Sequence, residues 1–219
     1  MMTFDFAVVL GQWPMLLRGL WLTCVLSAFS AVFGAAVGIA CAWARVHGSA
    51  GLRAVVGGYV EVVRNTPFII QLYFVFFGLP AAGIRLSPEL ASILAMVLNL
   101  GAYACEIIRA GIEATPRGQL EAARSLALDP WQTFTRVVLP PALARVWPAL
   151  VSQVIIVMLG SAVCGQISTE EASYAANLIS SRTFRSFEAY IIVTAEYLLL
   201  AILLRQGLNW LGPRFIFGR

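Results

Sequence analysis

The chain contains no lysine: all 15 of its Lys+Arg cations are arginine. That absence excludes a phosphate-gripping nucleotide site of the G-x-x-x-x-G-K-[ST] kind, whose lysine reaches the nucleotide phosphates. It equally excludes Schiff-base or Ser-Lys chemistry. Histidine is almost as scarce. The one copy, His47, sits beside Gly48 with no second histidine or cysteine cluster, which leaves no metal site to build. Cys24, Cys41, Cys105 and Cys164 lie singly inside apolar runs without C-x-x-C spacing, so they read as small packing residues and not as disulfides or ligands. Charge of either sign is short as well. Only 12% of the 219 residues are charged while 60% are hydrophobic, and the mean hydropathy is +0.83. A soluble domain is nearer half apolar and a quarter charged, so this composition belongs to an integral membrane protein. The net charge of +4 follows from arginine retained in loops on one side of a membrane and does not indicate nucleic-acid binding. No cleavable signal peptide is expected, because the first apolar run is too long and lacks a basic lead.

The apolar runs predict an all-α bundle of about five crossings. A short lead over 1–14 precedes a first span at 16–44, on which Ser30, Gly34, Gly38 and Ala42 recur every fourth residue as a stripe for close helix contact. A polar turn is expected over 45–58. Thr66-Pro67 then reads as a cap, with a break before a second span that ends at Pro80. Ser87-Pro88-Glu89 caps a third span reaching about residue 114. Beyond a Pro-rich re-entry at 141–148 comes a fourth span at 149–167. A polar outer segment over 168–186 should hold a short helix, and a fifth span follows at 187–208. The chain reads as one domain, 1–219.

One charged stretch interrupts this pattern, at about 115–140. Thr115-Pro116 and Asp129-Pro130-Trp131-Gln132 both read as helix starts, the second as a capping box. Two short helices with a tight break near Ala127 and Leu128 are therefore expected. This is either a surface connection or a docking element for a soluble partner. If it is cytoplasmic, then Arg45, Arg53, Arg109, Arg117, Arg124, Arg136, Arg145, Arg205, Arg214 and Arg219 all lie inside. Only Arg18, Arg85, Arg182 and Arg185 then lie near the outer face. That bias puts the N-terminus outside and the C-terminus inside.

The stretch resembles the "EAA" loop of the membrane subunits of bacterial ABC importers: E-A-A, three residues, Gly, nine residues, Ile, one residue, Leu-Pro. Glu121-Ala122-Ala123 is followed at those spacings by Ala127, Val137, Leu139 and Pro140, with Ala in place of Gly and Val in place of Ile. Arg64-Asn65-Thr66-Pro67 with Gln71-Leu72, the Asn99 to Ile112 stretch, and Thr183-Phe184-Arg185 resemble further signatures of the His/Glu/Gln/Arg/opine permease family. The resemblance implies a type I importer permease core in a bacterial inner membrane and no enzyme activity in this chain. It implies two ATP-binding subunits carrying ATP and Mg, a second permease subunit, an extracytoplasmic solute-binding protein and an amino-acid substrate moved by alternating access. It places docking of the ATPase at Gly118, Glu121, Ala122, Ala123, Ala127, Leu139 and Pro140. The family often has Lys-Asp-Thr-Ser in the fourth span. Here the matching residues are Leu159, Gly160, Ser161 and Ala162, which suggests a non-binding partner in a heterodimer. An opine or compatible-solute importer, or an ATP-independent carrier, are the alternatives.

Candidate pathway or gate residues are Arg64, Thr66, Gln71, Asn99, Ser161 and Glu196. Glu106 and Arg109, three apart, should form a structural ion pair. Arg64 either snorkels to the inner interface or closes the pathway. Gln71 and Asn99 fit interhelical hydrogen bonding. Trp13, Trp21, Trp147 and Trp210 suit interface anchors. Glu196 falls about 13 Å into the fifth span, where an unpaired charge costs at least about 2.5 kcal/mol. It must face protein or water. Either it bonds another helix, for example at Gln71 or Asn99, or it lines the pathway.

Overall fold

The computed structural model describes residues 4–216. Among these there is no strand. The α-helices are α1 (Phe6–Leu10), α2 (Trp13–His47), α3 (Ala50–Arg64), α4 (Phe68–Tyr73), α5 (Pro88–Glu113), α6 (Arg117–Ser125), α7 (Pro130–Gln132), α8 (Leu139–Gly160), α9 (Ala172–Thr183) and α10 (Ser186–Leu211). Arg219 lies outside the described residues.

The bundle is organised on the pairing of α2 with α5. The small-residue stripe of α2 is what permits it. Ser30, Gly34, Gly38 and Ala42 are all buried, and a β-carbon added to Gly34 would come within 2.8 Å of the Leu100 side chain. One added to Gly38 would come within 2.5 Å of the Ala104 β-carbon. Backbones that approach this closely exchange lipid contacts for dense protein packing, the main source of helix association in a bilayer. α5 is the most enclosed of the long helices, which suits its central place. Ser87 caps it as expected, accepting from the Leu90 N–H at 3.3 Å.

The polar turn expected over 45–58 is largely helix instead. Ser49 caps α3 by accepting from the Leu52 N–H, and Val60 is buried with Val56, Tyr59 and Val63 packed beside it against α5 residues. Three glycines and Arg53 obscured this apolar face, which recurs at helical spacing. The Tyr59 hydroxyl donates to the Leu98 carbonyl at 2.6 Å and ties α3 to α5.

After α3 the chain turns by 114° into α4. Pro67 removes a backbone donor and biases Thr66 away from helical geometry, so the break is dictated locally. Thr66 is not the cap, however. Its hydroxyl donates back to the Val62 carbonyl at 2.8 Å, and Pro67 holds the cap position without a side-chain bond. Thr115 likewise fails to cap α6. Pro116 takes that place, and the Thr115 Oγ1 is buried without a partner.

The Asp129–Gln132 capping box forms in both directions. From Pro130 the helical path runs unbroken to Ile167, 38 residues, through a π-helical stretch over Thr133–Val138 and a 3₁₀ stretch over Ser161–Ile167. There is no separate re-entry at 141–148. Pro140 and Pro141 follow closely on the π-helical stretch, and Pro148 lies further inside α8. Among the described residues four runs are long and apolar enough to cross a membrane, and counting the α3–α4 elbow as one crossing makes five.

Candidate functional site

Two polar regions stand out, one within the bundle and one at its end. The first surrounds the α3–α4 elbow. The break leaves backbone carbonyls without helical partners, and Gln71 compensates: its Nε2 donates to the Val63 carbonyl at 2.7 Å and lies 3.0 Å from the Thr66 carbonyl. Its Oε1 accepts from the Asn99 Nδ2 at 2.9 Å. Gln71 is therefore a staple that fixes the elbow to α5. Thr66 and Asn99 both line a cavity of about 480 Å³ bounded also by Tyr103, Gln153, Ile156 and Gly160. No charged side chain is in its lining. Gln153 was not among the sequence candidates. A glutamine inside the apolar run of residues 149–167 was the available signal.

Arg64 stacks on Tyr103, one of the lining residues. Its guanidinium sits 5.6 Å over the Tyr103 ring and 3.8 Å from a Glu106 carboxylate oxygen. Glu106 is more than the partner of Arg109. Arg45 from α2 at 3.7 Å, Arg64 from α3 at 3.8 Å and Arg109 at 2.9 Å all converge on it, and Arg109 also pairs with Glu113. One carboxylate thus joins three helices. Spacing could reveal only the Arg109 contact, since the other two partners are distant in sequence.

Ser161 and Glu196 do not join this cavity. Ser161 is fully buried, and its hydroxyl lies with that of Thr23 beside the Tyr197 phenol. It faces the packing of α2, α9 and α10 and is absent from the cavity lining. Glu196 bonds neither Gln71 nor Asn99, which bond each other. Its Oε2 is buried without a partner and it is absent from the cavity lining. The carboxylate that sequence reasoning passed over is Glu171. It is 0% exposed, caps α9 by accepting from the Ser173 and Tyr174 N–H groups at 2.8 and 2.7 Å, and accepts from the Tyr197 hydroxyl. Burial raises its pKa above the usual carboxylate range, against the lowering effect of those bonds.

The second region is the charged stretch. Leu120 packs into the main apolar core and Ala123 is only 2% exposed, so one face of α6 is bound to its own chain. Glu121, Ala122 and Arg124 face outward. The turn after α6 closes through paired backbone bonds, Leu128 N–H to the Ala123 carbonyl at 3.1 Å and Ala127 N–H to the Arg124 carbonyl at 2.9 Å. Ala127 adopts φ +53, the conformation glycine supplies without strain. The tight turn is kept despite the methyl group. Trp131 and Phe134 just beyond it meet Trp43 and His47 at the end of α2.

Residues 34–217 match the family described as the binding-protein-dependent transport system inner membrane component. The chain belongs to this family. The probable glutamine ABC transporter permease protein GlnM of Bacillus subtilis (strain 168) is 33% identical over 208 residues, covering 95% of this chain and 96% of its own. The glutamine transport system permease protein GlnP of Escherichia coli (strain K12) is 31% identical, covering 97% and 98%. A solved structure of an amino acid ABC transporter with histidines aligns at a TM-score of 0.86 and 32% identity over 98% of this chain and all of that one. The protein is a multi-pass membrane permease subunit with the type I importer architecture. Its work is transport. Among the described residues, no three His, Cys, Asp or Glu side chains gather into a metal site.

Proposed function

We propose that this permease moves a polar amino acid with an uncharged side chain, driven by ATP hydrolysed on two separate subunits. The observation that carries the reading is the α6–α7 element: a capped, tightly closed helix pair anchored by Leu120 and Ala123, with Glu121, Ala122 and Arg124 turned outward. Gly118, Glu121, Ala122 and the Ala127 turn then form the docking surface for an ATP-binding subunit. Ala123, Leu139 and Pro140 support it from within. ATP and Mg belong to that partner. The relatives' names supply the amino-acid class, and the uncharged lining of the elbow cavity narrows it. An extracytoplasmic solute-binding protein delivers the substrate, as the family description implies. The arginine distribution places the N-terminus outside and the C-terminus in the cytoplasm of a bacterial inner membrane.

Arg64, held between Glu106 and Tyr103 beside the cavity, is the gate. Thr66, Asn99 and Gln153 touch the substrate and Gln71 holds the elbow. A second permease subunit completes the pathway. The uncharged Leu159-Gly160 pair favours a non-identical, charged homologue in that role.

The test is reconstitution in proteoliposomes with the cognate ATPase and binding protein, with and without a homologous permease. ATP-dependent uptake of glutamine or a similar neutral amino acid is expected only with the second permease present. Uptake without any ATPase would overturn the importer reading in favour of an ATP-independent carrier. Full uptake with this chain as the only permease would overturn the heterodimer.

A further inference from the structure

Phe184 violates two rules of folding at once. It ends α9 in the left-handed region at φ +57, where a bulky side chain is a genuine outlier and glycine is the usual occupant. Its ring is also 89% exposed. Glycine would serve the turn better on both counts. Nor is the turn loose: the Phe184 N–H donates to the Ser180 carbonyl at 2.9 Å, the Ser180 and Ser186 hydroxyls meet at 2.6 Å, and the Arg185 N–H donates to the Thr183 hydroxyl at 3.3 Å. The chain holds this ring outward by construction. The flanking Ser-Ser-Arg-Thr and Arg-Ser residues are too polar for the hydrocarbon layer, so lipid tails do not account for the exposure.

The tip has a shaped neighbourhood. Tyr174 and Leu178, four apart on α9, line with Glu170 from the preceding loop a cleft of about 450 Å³ against the α1–α2 junction, where Arg18 pairs with Glu170 at 3.2 Å. Arg182, exposed, continues that face to the tip. This end of the molecule is opposite the α6–α7 element. α2 contacts α9 near its start, through the Thr23 hydroxyl accepting from the Ala172 N–H, and contacts Trp131 and Phe134 near its finish. At 1.5 Å per residue the 35 residues of α2 span about 50 Å between the two ends.

We propose that Phe184 is a docking knob for the extracytoplasmic solute-binding protein, its ring entering an apolar recess of that partner while Arg182 meets a carboxylate at the rim. The occupant follows from the family's dependence on a binding protein and from the position of the tip at the end away from the ATPase-docking element. The inference rests on the importer reading above and locates one of its partners. Phenylalanine and arginine are both enriched at protein interfaces, where a few residues carry most of the affinity.

The experiment uses the assembled transporter in nanodiscs and the solute-binding protein that stimulates its ATPase. Phe184→Gly should fold at least as well as the parent, yet bind that protein at least about 10-fold more weakly with basal ATPase intact. Arg182→Glu should slow association and make it less sensitive to salt. Equal binding by parent and Phe184→Gly overturns the knob while the importer reading stands. A parent complex that no binding protein stimulates overturns both. A Phe184→Trp variant separates partner from lipid. A blue shift, in the difference spectrum against the parent, on adding the binding protein supports the proposal. Quenching by brominated lipid before it is added identifies a membrane anchor and overturns it.

Discussion

The turns that end α6 and α9 make an instructive pair. Both close with a non-glycine residue in the left-handed region, Ala127 at φ +53 and Phe184 at φ +57. The backbone strain is alike, roughly 1–2 kcal/mol each. What differs is the side chain. The Ala127 methyl gains the turn nothing. The Phe184 ring is large, exposed and held out by a hydrogen-bonded frame. Equal strain therefore has unequal meaning, and what surrounds each turn decides between a tolerated substitution and a retained one.

The strongest way to break this comparison is to attack a buried support of each helix. Behind Ala127 lies Ala123, and Ala123→Glu forces a charge into a site that is 2% exposed. Loss of several kcal/mol is expected, with collapse of the α6 face and no ATP-binding subunit in pull-downs. Normal coupled uptake by this variant would contradict the inward placement. At the start of α9 the support is Glu171. Glu171→Leu orphans two backbone N–H groups and the Tyr197 hydroxyl, and should cost roughly 3 kcal/mol in detergent-solubilised unfolding.

The same carboxyl predicts a pH slope. Its folded pKa is raised, so the native state holds the proton more tightly than the unfolded chain. Its contribution is fully present below the unfolded value of 4.5 and is lost as pH rises through the folded value. Stability should fall across that window in the parent and fall less in Glu171→Gln.

Glycine sharpens the comparison at smaller cost. Ala127→Gly and Phe184→Gly should each raise stability by about 1 kcal/mol in chemical unfolding. Uptake should survive the first and suffer in the second. The smallest effect is expected at Glu196. Away from the Thr66–Asn99 cavity, Glu196→Gln should leave uptake and substrate preference unchanged. A changed preference would return Glu196 to the pathway.

Much of the architecture was legible because local rules dominate in a membrane chain. The α2 stripe of Ser30, Gly34, Gly38 and Ala42 is read by counting fours, and its contact with α5 is the fold's main junction. The Asp129 box and the Ser87 cap are likewise local bonds. α3 was missed because glycines and Arg53 diluted a narrow apolar face. The Thr66 cap was misread because its hydroxyl turns back to the Val62 carbonyl, and the Thr115 cap because Pro116 takes the cap position, both set by the folded backbone. Within the candidate cavity, Thr66 and Asn99 could be nominated as polar residues near spans, and Gln153 by the same signal, but only the fold brings the three together.

By itself the sequence determined the medium and the long apolar spans. A chain that is 60% hydrophobic must satisfy its backbone internally within the membrane, here in helices, and one with no lysine carries no G-x-x-x-x-G-K-[ST] phosphate loop. The spacing after Glu121 likewise determined where the charged α6–α7 element lies. Only the tertiary structure decided which polar groups share a site. Arg45, Arg64 and Arg109 meet at Glu106, Gln71 meets Asn99 across the elbow, and Glu171 meets Tyr197. Each meeting depends on how one helix rotates against another, which dense packing sets over the whole bundle and which no window along the chain encodes.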